Sequence, residues 1–483
     1  MTASFVIPNF APAAGEIALL LLACAVLVVD VYLPAEKRQW TYWLSQASLV
    51  ITGYYVLDAY MTVGDSMTFS GTFQLDALAV IIKLMVLTVT VFVFAYSRNY
   101  LIERGLVKGE FYLLGLFAVL GMLILASAAN LLTVYLGLEL LSLSMYAMVA
   151  LHRDNANASE AAMKYFILGA LASGMLLYGM SLLYGATGTL DIAEIAKSVD
   201  ASGGDGKLLA LSTVFLVIGI AFKLGAVPFH MWIPDVYEGA PSCVTLFIGS
   251  APKLAGFAML IRVLADGLGG MHAHWQDMMI IMAVLSMAIG NVVAIAQSNI
   301  KRMLAYSTIA HAGFLFLGLI PGTSEAYGAA LFYAVTYTVM SLGAFGMVVV
   351  LSRGTQEADQ IDSFAGLGKR NPLLALVTLI LMFSMAGVPP FLGFWAKWSV
   401  LREVVNADFT WIAVIAVAFS VIGLFYYLRI ARMVYFESPA DETPIERGPD
   451  IRVLMGINGF VILLVGCMPS AVIVLCQQAF ATL

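Results

Sequence analysis

Apolar residues in this chain run on rather than alternate. Stretches of about 20, enough for a helix to cross a hydrocarbon core about 30 Å thick, recur along the whole length, separated by short polar segments. The ~10-residue alternating strands of a membrane barrel do not appear. The runs predict fourteen spans, near 14–34, 40–63, 75–97, 110–127, 131–151, 162–186, 208–234, 242–265, 276–296, 301–320, 326–351, 372–403, 409–435 and 452–480. The seventh and twelfth are long and interrupted by proline. The fold class is therefore an all-α polytopic membrane protein. Composition agrees, because 11% charged residues is less than half the roughly 25% of a soluble domain. The first 13 residues lack a basic n-region and the following run is long enough to span, so no cleavable signal peptide is read.

Basic residues orient the spans. With the N-terminus outside, 16 of the 24 lysines and arginines fall in inside loops and 4 in outside loops (Lys197, Lys207, Arg262 and Arg402). That is a strong positive-inside bias, and an even span count puts the C-terminus outside as well. The longest outside loop, about 187–207, is Gly- and Asp-rich and reads as mobile. The inside loops 352–371 and 436–451 read as linkers or docking surfaces. The second of these is polar and acidic, with Pro439, Pro444 and Pro449.

Residues 226–232 read AVPFHMW and residues 387–395 read GVPPFLGFW. Each is a small residue, Val and Pro followed by Phe and Trp inside a long apolar run. Proline removes a donor and clashes one turn back, so both helices should break there. Interrupted spans in matching positions point to a core of repeats. Spans seven and twelve are five apart and so cross in opposite directions, the mark of an inverted repeat. Five-span units would be spans 4–8 (110–265) and 9–13 (276–435). The remainder is a three-helix N-terminal extension (1–109) and a loop with a last helix (436–483). Kinks of this kind are also common in membrane helices without any repeat.

Charges inside the apolar runs come next. Lys83, Lys223, Lys253, Lys397 and Glu139 lie in the middle of spans, and His311 at mid-span ten. A lone ammonium in lipid costs a few kcal/mol at least, so such residues usually line a polar path. Burial favours the neutral lysine and a nearby carboxylate favours the charged one, so a buried lysine beside a glutamate can hold or release a proton. Histidine titrates near neutrality and can bridge such sites. Tyr306, Ser307 and Thr308 can order water between them. Each residue also has a static reading. Glu139 and Lys223 can be a fixed pair, Lys253 can line an inert pocket, Lys397 can snorkel outward, and His311 can be a satisfied core histidine. Lys83 has Asp76 two helical turns earlier and reads as a structural pair with it.

The four cysteines are scattered, and no CxxC, no His pair at i,i+4 and no Gly-rich phosphate loop is present. No iron–sulfur, haem, flavin or nucleotide site is read, and no metal site.

The runs FKLGAVPFHMWIPDVYEGAPSCVTLFIGSAPKLAGF (222–257), NIKRMLAYSTIAHAGF (299–314) and GVPPFLGFWAKW (387–398) resemble the antiporter-like membrane subunits of respiratory complex I, the proton-pumping NADH:quinone oxidoreductase. The resemblance covers about 110–435. It implies fourteen helices with two inverted five-helix units and broken helices seven and twelve. It also implies a proton path through Glu139 and Lys223 as a coupling pair, Lys253 as the central lysine and Lys397 near the outward exit, with His311 matching a histidine present in parts of the family. NADH, flavin, iron–sulfur clusters and quinone would belong to partner subunits. Other membrane subunits, neighbouring antiporter-like ones included, would be the partners, with no nucleic acid. A bacterial inner membrane, with both termini periplasmic, would be the setting. A subunit of a multi-subunit cation/proton antiporter shares this core and is the alternative. A non-transporting scaffold, in which the charges only hold helices together, is the other.

Overall fold

The computed structural model describes residues 7–106, 109–204, 206–354, 356–438 and 448–481. It is helical, with one small hairpin. The first helices are α1 (Ala14–Tyr32) and α2 (Gln39–Val63). The hairpin follows, β1 (Ser66–Thr68) antiparallel to β2 (Phe73–Leu75), with Met67 opposite Gln74. Then come α3 (Ala77–Glu103), α4 (Glu110–Ala126), α5 (Leu131–Val149), α6 (Ala156–Thr187), α7 (Ile192–Ser202), α8 (Lys207–Leu224), α9 (Trp232–Gly239), α10 (Ser242–Ile248) and α11 (Ala251–Leu260). The chain continues through α12 (His272–Ile295), α13 (Ile300–Leu317), α14 (Ser324–Leu351), α15 (Leu367–Arg370), α16 (Pro372–Ala386), α17 (Leu392–Asn406), α18 (Thr410–Phe436), α19 (Pro449–Cys467) and α20 (Ser470–Gln478).

Each expected span contains helix at its expected place. Among the described residues, ten helical stretches are long and apolar enough to cross a membrane; α4 and α16 are apolar but shorter. Starts are set by side chains that accept orphan amide protons: Asn130 for α5, Asn299 for α13, Thr323 for α14 and Asn371, ahead of Pro372, for α16. The stretch 242–267 and α14 form the buried centre. Their apolar windows are 100% and 94% buried, so every polar group there must find an internal partner.

Both expected breaks are present. Helix α8 stops at Leu224 and α9 resumes at Trp232; α16 stops at Ala386 and α17 resumes at Leu392. Each stop is followed by a left-handed glycine, Gly225 (φ +80°) and Gly387 (φ +88°), the residue that closes a helix at least cost. Span eight is interrupted too, which the sequence reading did not foresee: Gly249 and Ser250 separate α10 from α11, and α11 runs into a π-helical turn, Ile261–Gly267.

Two loop readings need correction. The stretch 187–207 is not a mobile loop, because it contains α7. That helix is capped by Asp191, closed by left-handed Gly203 and buried through Ile192, Ile195 and Val199. Asp191 and Gly203, among the residues that suggested a loop, are its caps. The stretch 352–371 is no plain linker. Ile300 N donates to Asp359 O and Ile361 N to Ser298 O, so it is stitched to the start of α13. Glu357 reaches inward and accepts from the Tyr100 hydroxyl, from Ser242 Oγ (2.6 Å) and from Ser352 Oγ (3.2 Å), with Arg104 Nε at 3.5 Å. Of the 436–451 loop, residues 439–447 lie outside the described residues.

Burial pushes the Glu357 carboxyl up, but the charge of Lys301, the hydrogen bonds from Ser242 and Tyr100 and the charge of Arg104 outweigh it and leave it below the usual carboxylate value. The strap is therefore fully held above the unfolded carboxylate value of about 4.3 and is released as pH falls through the lowered one. Glu357→Gln should cost about 1–3 kcal/mol and speed amide exchange of residues 356–361 at neutral pH. The unsubstituted strap should lose the same protection, measured against the intrinsic exchange rate at each pH, only as pH falls below the usual carboxylate value. At Gly387 an added Cβ would lie 2.9 Å from Lys397 Cδ in a left-handed backbone. Gly387→Ala should lower the thermal midpoint, at a cost of about 1–2 kcal/mol or more. Gly174→Ala, whose Cβ would meet nothing within 4 Å, should not.

Candidate functional site

The site begins at the carbonyl ends of the two interrupted helices. A helix that stops inside a membrane leaves carbonyls unpaired, and lipid cannot satisfy them. At the first break, Trp232 Nε1 donates to Phe222 O (2.9 Å) and Lys253 Nζ donates to Leu224 O (3.0 Å). Val227 N donates to Ser286 Oγ of α12 (2.9 Å). The Lys253 ammonium also stands 5.7 Å from the Trp232 ring centroid, a cation–π distance. At the second break, Lys397 Nζ donates to Ala386 O and to Ser420 Oγ of α18, both at 2.8 Å. It lies 5.0 Å from the centroid of Phe314 on α13, and Gly393 N donates to Ser384 Oγ (3.0 Å). Two different helices thus bring a lysine to the same feature. Lys253 comes from the start of α11, where Pro252 and the interruption at Ser250 aim the side chain across the core. Lys397 comes from the helix that resumes after its own break.

Lys223 sits in the last turn of α8. Its ammonium donates to Ser142 Oγ (2.7 Å), one turn along α5 from Glu139. Glu139 and Lys223 therefore do not form the direct pair that the sequence suggested. A buried serine holds the lysine, and Glu139 Oε1 has no hydrogen-bond partner. The carboxylate remains within electrostatic reach of Lys223, and Lys223 of Lys253.

His311 is buried on α13 between two tyrosines. Its Nδ1 is 2.6 Å from the Tyr333 hydroxyl and its Nε2 is 3.1 Å from that of Tyr427. Tyr427 continues to Ser307 Oγ (2.5 Å), and Tyr337 donates to Thr308 Oγ1 (2.7 Å). A small cavity of ≈ 20 Å³ lies between Lys253 and His311, lined also by Leu224, Thr308, Tyr333 and Tyr337. That is room for about one water, which needs roughly 10–15 Å³ and polar partners. The five residues singled out from the sequence are thus brought into one row: Glu139, Lys223, Lys253, the cavity, His311, and then Lys397 across Phe314. Tyr306 does not join it, because its ring faces Arg302 at 6.0 Å.

Lys83 stands apart. It is fully buried, and its ammonium is 2.6 Å from Glu16 Oε1 on α1 and 4.8 Å from the Phe73 ring centroid. Its expected partner Asp76 instead caps α3 and binds Arg262 at 2.8 Å. Asp76 points back along its own helix to the open amides, which removes it from Lys83's reach.

Sequence reading missed Ser142, Ser420, Tyr333, Tyr337 and Tyr427. Isolated hydroxyls in apolar runs were the available signal, and Tyr333 and Tyr337 share a helix face at i,i+4. It also missed Lys301, counted as a loop cation. Lys301 is 3% exposed and donates to Ala240 O (2.9 Å). Beside it, Asp235 on α9 joins Lys164 (2.7 Å) and Arg302 (2.9 Å), and Arg302 also binds Glu238 (2.8 Å). These charges line a polar pocket of ≈ 250 Å³ at the far end of α9 from Trp232.

This arrangement resembles known proteins. The family model NADH:quinone oxidoreductase/Mrp antiporter, TM, matches residues 128–423. A NADH-quinone oxidoreductase subunit N of Thioalkalivibrio sulfidiphilus (strain HL-EbGR7) is 53% identical over 480 residues, 99% of this chain and 100% of that one. A chain of respiratory complex I from Thermus thermophilus superposes with a TM-score of 0.82 at 32% identity, covering 96% of this chain and 99% of that one. A chain of the Mrp complex from Dietzia sp. DQ12-45-1b reaches a TM-score of 0.85 at 20% identity, covering 98% and 97%; that likeness is one of fold.

Proposed function

The chain belongs to the NADH:quinone oxidoreductase/Mrp antiporter family of membrane proteins, and we propose that it is the subunit N of a bacterial NADH:quinone oxidoreductase and carries protons across the inner membrane. The observation that carries this reading is the row of buried and half-buried ionisable groups running from Glu139 to Lys397 through one water-sized cavity at Lys253 and His311. Each lysine in the row is bonded to a neutral acceptor: Ser142 for Lys223, Leu224 O for Lys253, Ala386 O and Ser420 for Lys397. A lysine locked to a carboxylate keeps its proton, whereas one held by neutral groups in a dry interior can release it.

In this mechanism the proton enters from the cytoplasmic side at the pocket of Lys164, Asp235, Glu238 and Arg302 and reaches Lys253 beyond Trp232. The unpaired Glu139 carboxylate sets how firmly Lys223 holds its charge, and Lys223 in turn acts on Lys253 by repulsion. A change at Glu139, driven by quinone reduction in partner subunits, thereby loosens the Lys253 proton. The proton crosses the cavity to the His311–Tyr333–Tyr427 cluster, reaches Lys397 and leaves on the periplasmic side. The two five-helix units, 110–265 and 276–435, each supply one lysine-capped break. Both termini face the periplasm on the positive-inside count. NADH, flavin, iron–sulfur clusters and quinone belong to partner subunits in this reading. The exchanger alternative has likeness of fold at 20% identity behind it, against 53% identity to a subunit N.

Lys253→Met should assemble, lose NADH-driven acidification of reconstituted vesicles and depress quinone reduction by about tenfold or more. Normal pumping in that variant removes Lys253 from the path. Glu139→Gln should leave assembly intact and weaken turnover. A failure to assemble would make Glu139 a structural group instead.

A further inference from the structure

Lys301 is a third lysine set at the carbonyl end of a helix. Helix α9 closes on Ala240, whose carbonyl accepts from the Lys301 ammonium at 2.9 Å, as Leu224 O does from Lys253 and Ala386 O from Lys397. The titratable groups facing Lys301 are Glu238 at the end of α9, Cys243 on α10, and Glu357 and Asp359 of the strap. Each of the three carboxylates is engaged elsewhere. Glu238 binds Arg302 (2.8 Å), Asp359 accepts from Asn299 Nδ2 (3.3 Å), and Glu357 accepts from Tyr100, Ser242 and Ser352. Among the described residues, the hydrogen-bond partner of Lys301 is the neutral Ala240 carbonyl. The field of three carboxylates therefore favours the ammonium, while no carboxylate contact locks the proton in place.

Lys301 also stands between two spaces. On the cytoplasmic side, the polar pocket of ≈ 250 Å³ reaches Gly239 and Arg302, the chain neighbours of Ala240 and Lys301, with Glu238 and Asp359 in its wall. On the inner side, Thr245 Oγ1 lies 3.4 Å from the same Ala240 carbonyl and donates to Tyr237 O (2.9 Å). The hydroxyl at the far end of the buried Tyr237 side chain is within reach of Thr308, which lines the ≈ 20 Å³ cavity beside Lys253 and His311. Lys301 and Thr308 are seven residues apart on α13, two turns along one face.

We propose that Lys301 takes the proton from the cytoplasmic pocket and passes it inward to the cavity at Lys253. The proposal rests on the reading of this chain as a proton carrier and supplies the step between its entry pocket and its central lysine. A neutral Lys301 amine takes one proton from water in the pocket. The ammonium swings inward on its flexible four-carbon stem and gives one proton up by way of the Tyr237 and Thr308 hydroxyls to a neutral Lys253 amine. Each hydroxyl accepts one proton and releases its own, no electron moves, and Lys301 returns to the amine. The Thr245 hydroxyl already beside Ala240 O covers that carbonyl while the lysine is turned away. For the same reason a lysine kept only as a cap would be redundant here, and a buried charge is costly to keep without a use.

The test uses the whole assembly containing this chain in sealed vesicles, with NADH-driven acidification and assembly on native gels read together. Lys301→Arg decides it. Arginine keeps a cation and donors for Ala240 O but does not give up its proton. A cap or a fixed charge therefore predicts pumping within twofold of the unsubstituted assembly, and that result would overturn the proposal. The expected result is a loss of about tenfold or more in an assembled complex, matched by Lys301→Met. If the larger guanidinium prevents assembly, Tyr237→Phe decides instead. It keeps the packed ring and removes only the hydroxyl, so pumping should fall several-fold, and unchanged pumping would overturn the route. Lys253→Met, measured alongside, separates the two levels. Normal pumping in it defeats the carrier reading itself, whereas blocked pumping in it with normal pumping in Lys301→Arg defeats this proposal alone.

Discussion

A helix that ends inside a membrane has carbonyls with nowhere to go, and a lysine inside a membrane has a charge with nowhere to go. Here each problem is set against the other. Leu224 O meets Lys253 and Ala386 O meets Lys397, so the negative end of each interrupted helix faces an ammonium. An unsatisfied carbonyl in lipid costs several kcal/mol and an unpaired central lysine about 2.5–3.5 kcal/mol. Bringing the two together offsets part of both. The glycines follow from this contact: Gly225 and Gly387 turn the chain in the left-handed region, and a Cβ at Gly387 would push against Lys397. A lysine that gives up its proton can still donate to the carbonyl but no longer answers the helix dipole. The protonation state and the geometry of the break are linked for that reason.

The centre of the row is where this linkage has to be relayed. His311 has both ring nitrogens occupied by tyrosine hydroxyls, and a hydroxyl can turn to donate or accept. A chain of such groups changes direction without moving heavy atoms. Between it and Lys253 stands one water-sized cavity, so the break in the first half and the histidine of the second communicate through a single bridging position. The buried stretch 242–267 and α14 hold the walls of this passage. Their near-complete burial leaves little room for the polar groups to find other partners.

The interruptions and the lysines were legible because each breaks a rule that a membrane span otherwise keeps: no proline at mid-helix, no charge in an apolar run. Partners were less legible. Lys83 has Asp76 seven residues before it, yet it binds Glu16, 67 residues away in the chain, because an N-cap carboxylate turns toward its own amides. Glu139 and Lys223 are separated by a serine hydroxyl, and a lone serine in an apolar run does not say which charge it will hold. The tyrosines around His311 come from α14 and α18, and only the packing of those helices makes them one cluster. Caps disguised α7 as a loop, since Asp191 and Gly203 read locally as turn residues. The inward reach of Glu357 depends on Tyr100, Ser242 and Ser352 converging from three parts of the chain.

These partners divide the buried and half-buried cations into two kinds. Lys83 touches Glu16, Arg262 touches Asp76 and Asp266, and Arg302 touches Asp235 and Glu238. Each of these pairs would leave a naked buried or half-buried carboxylate if the cation were neutralised, so the charge is fixed by its partner. Lys223, Lys253 and Lys397 touch hydroxyls and carbonyls, which tolerate a neutral amine. Lys301 is intermediate: it is bonded to a carbonyl, with Glu357, Asp359 and Glu238 acting on it from nearby, where the charged pocket at the end of α9 gives way to the row. The contrast separates cations that hold the fold from those that can carry a proton through it. It does so on the identity of the contacting atom rather than on depth, since the most deeply buried lysine, Lys83 at 0% exposure, belongs to the fixed kind.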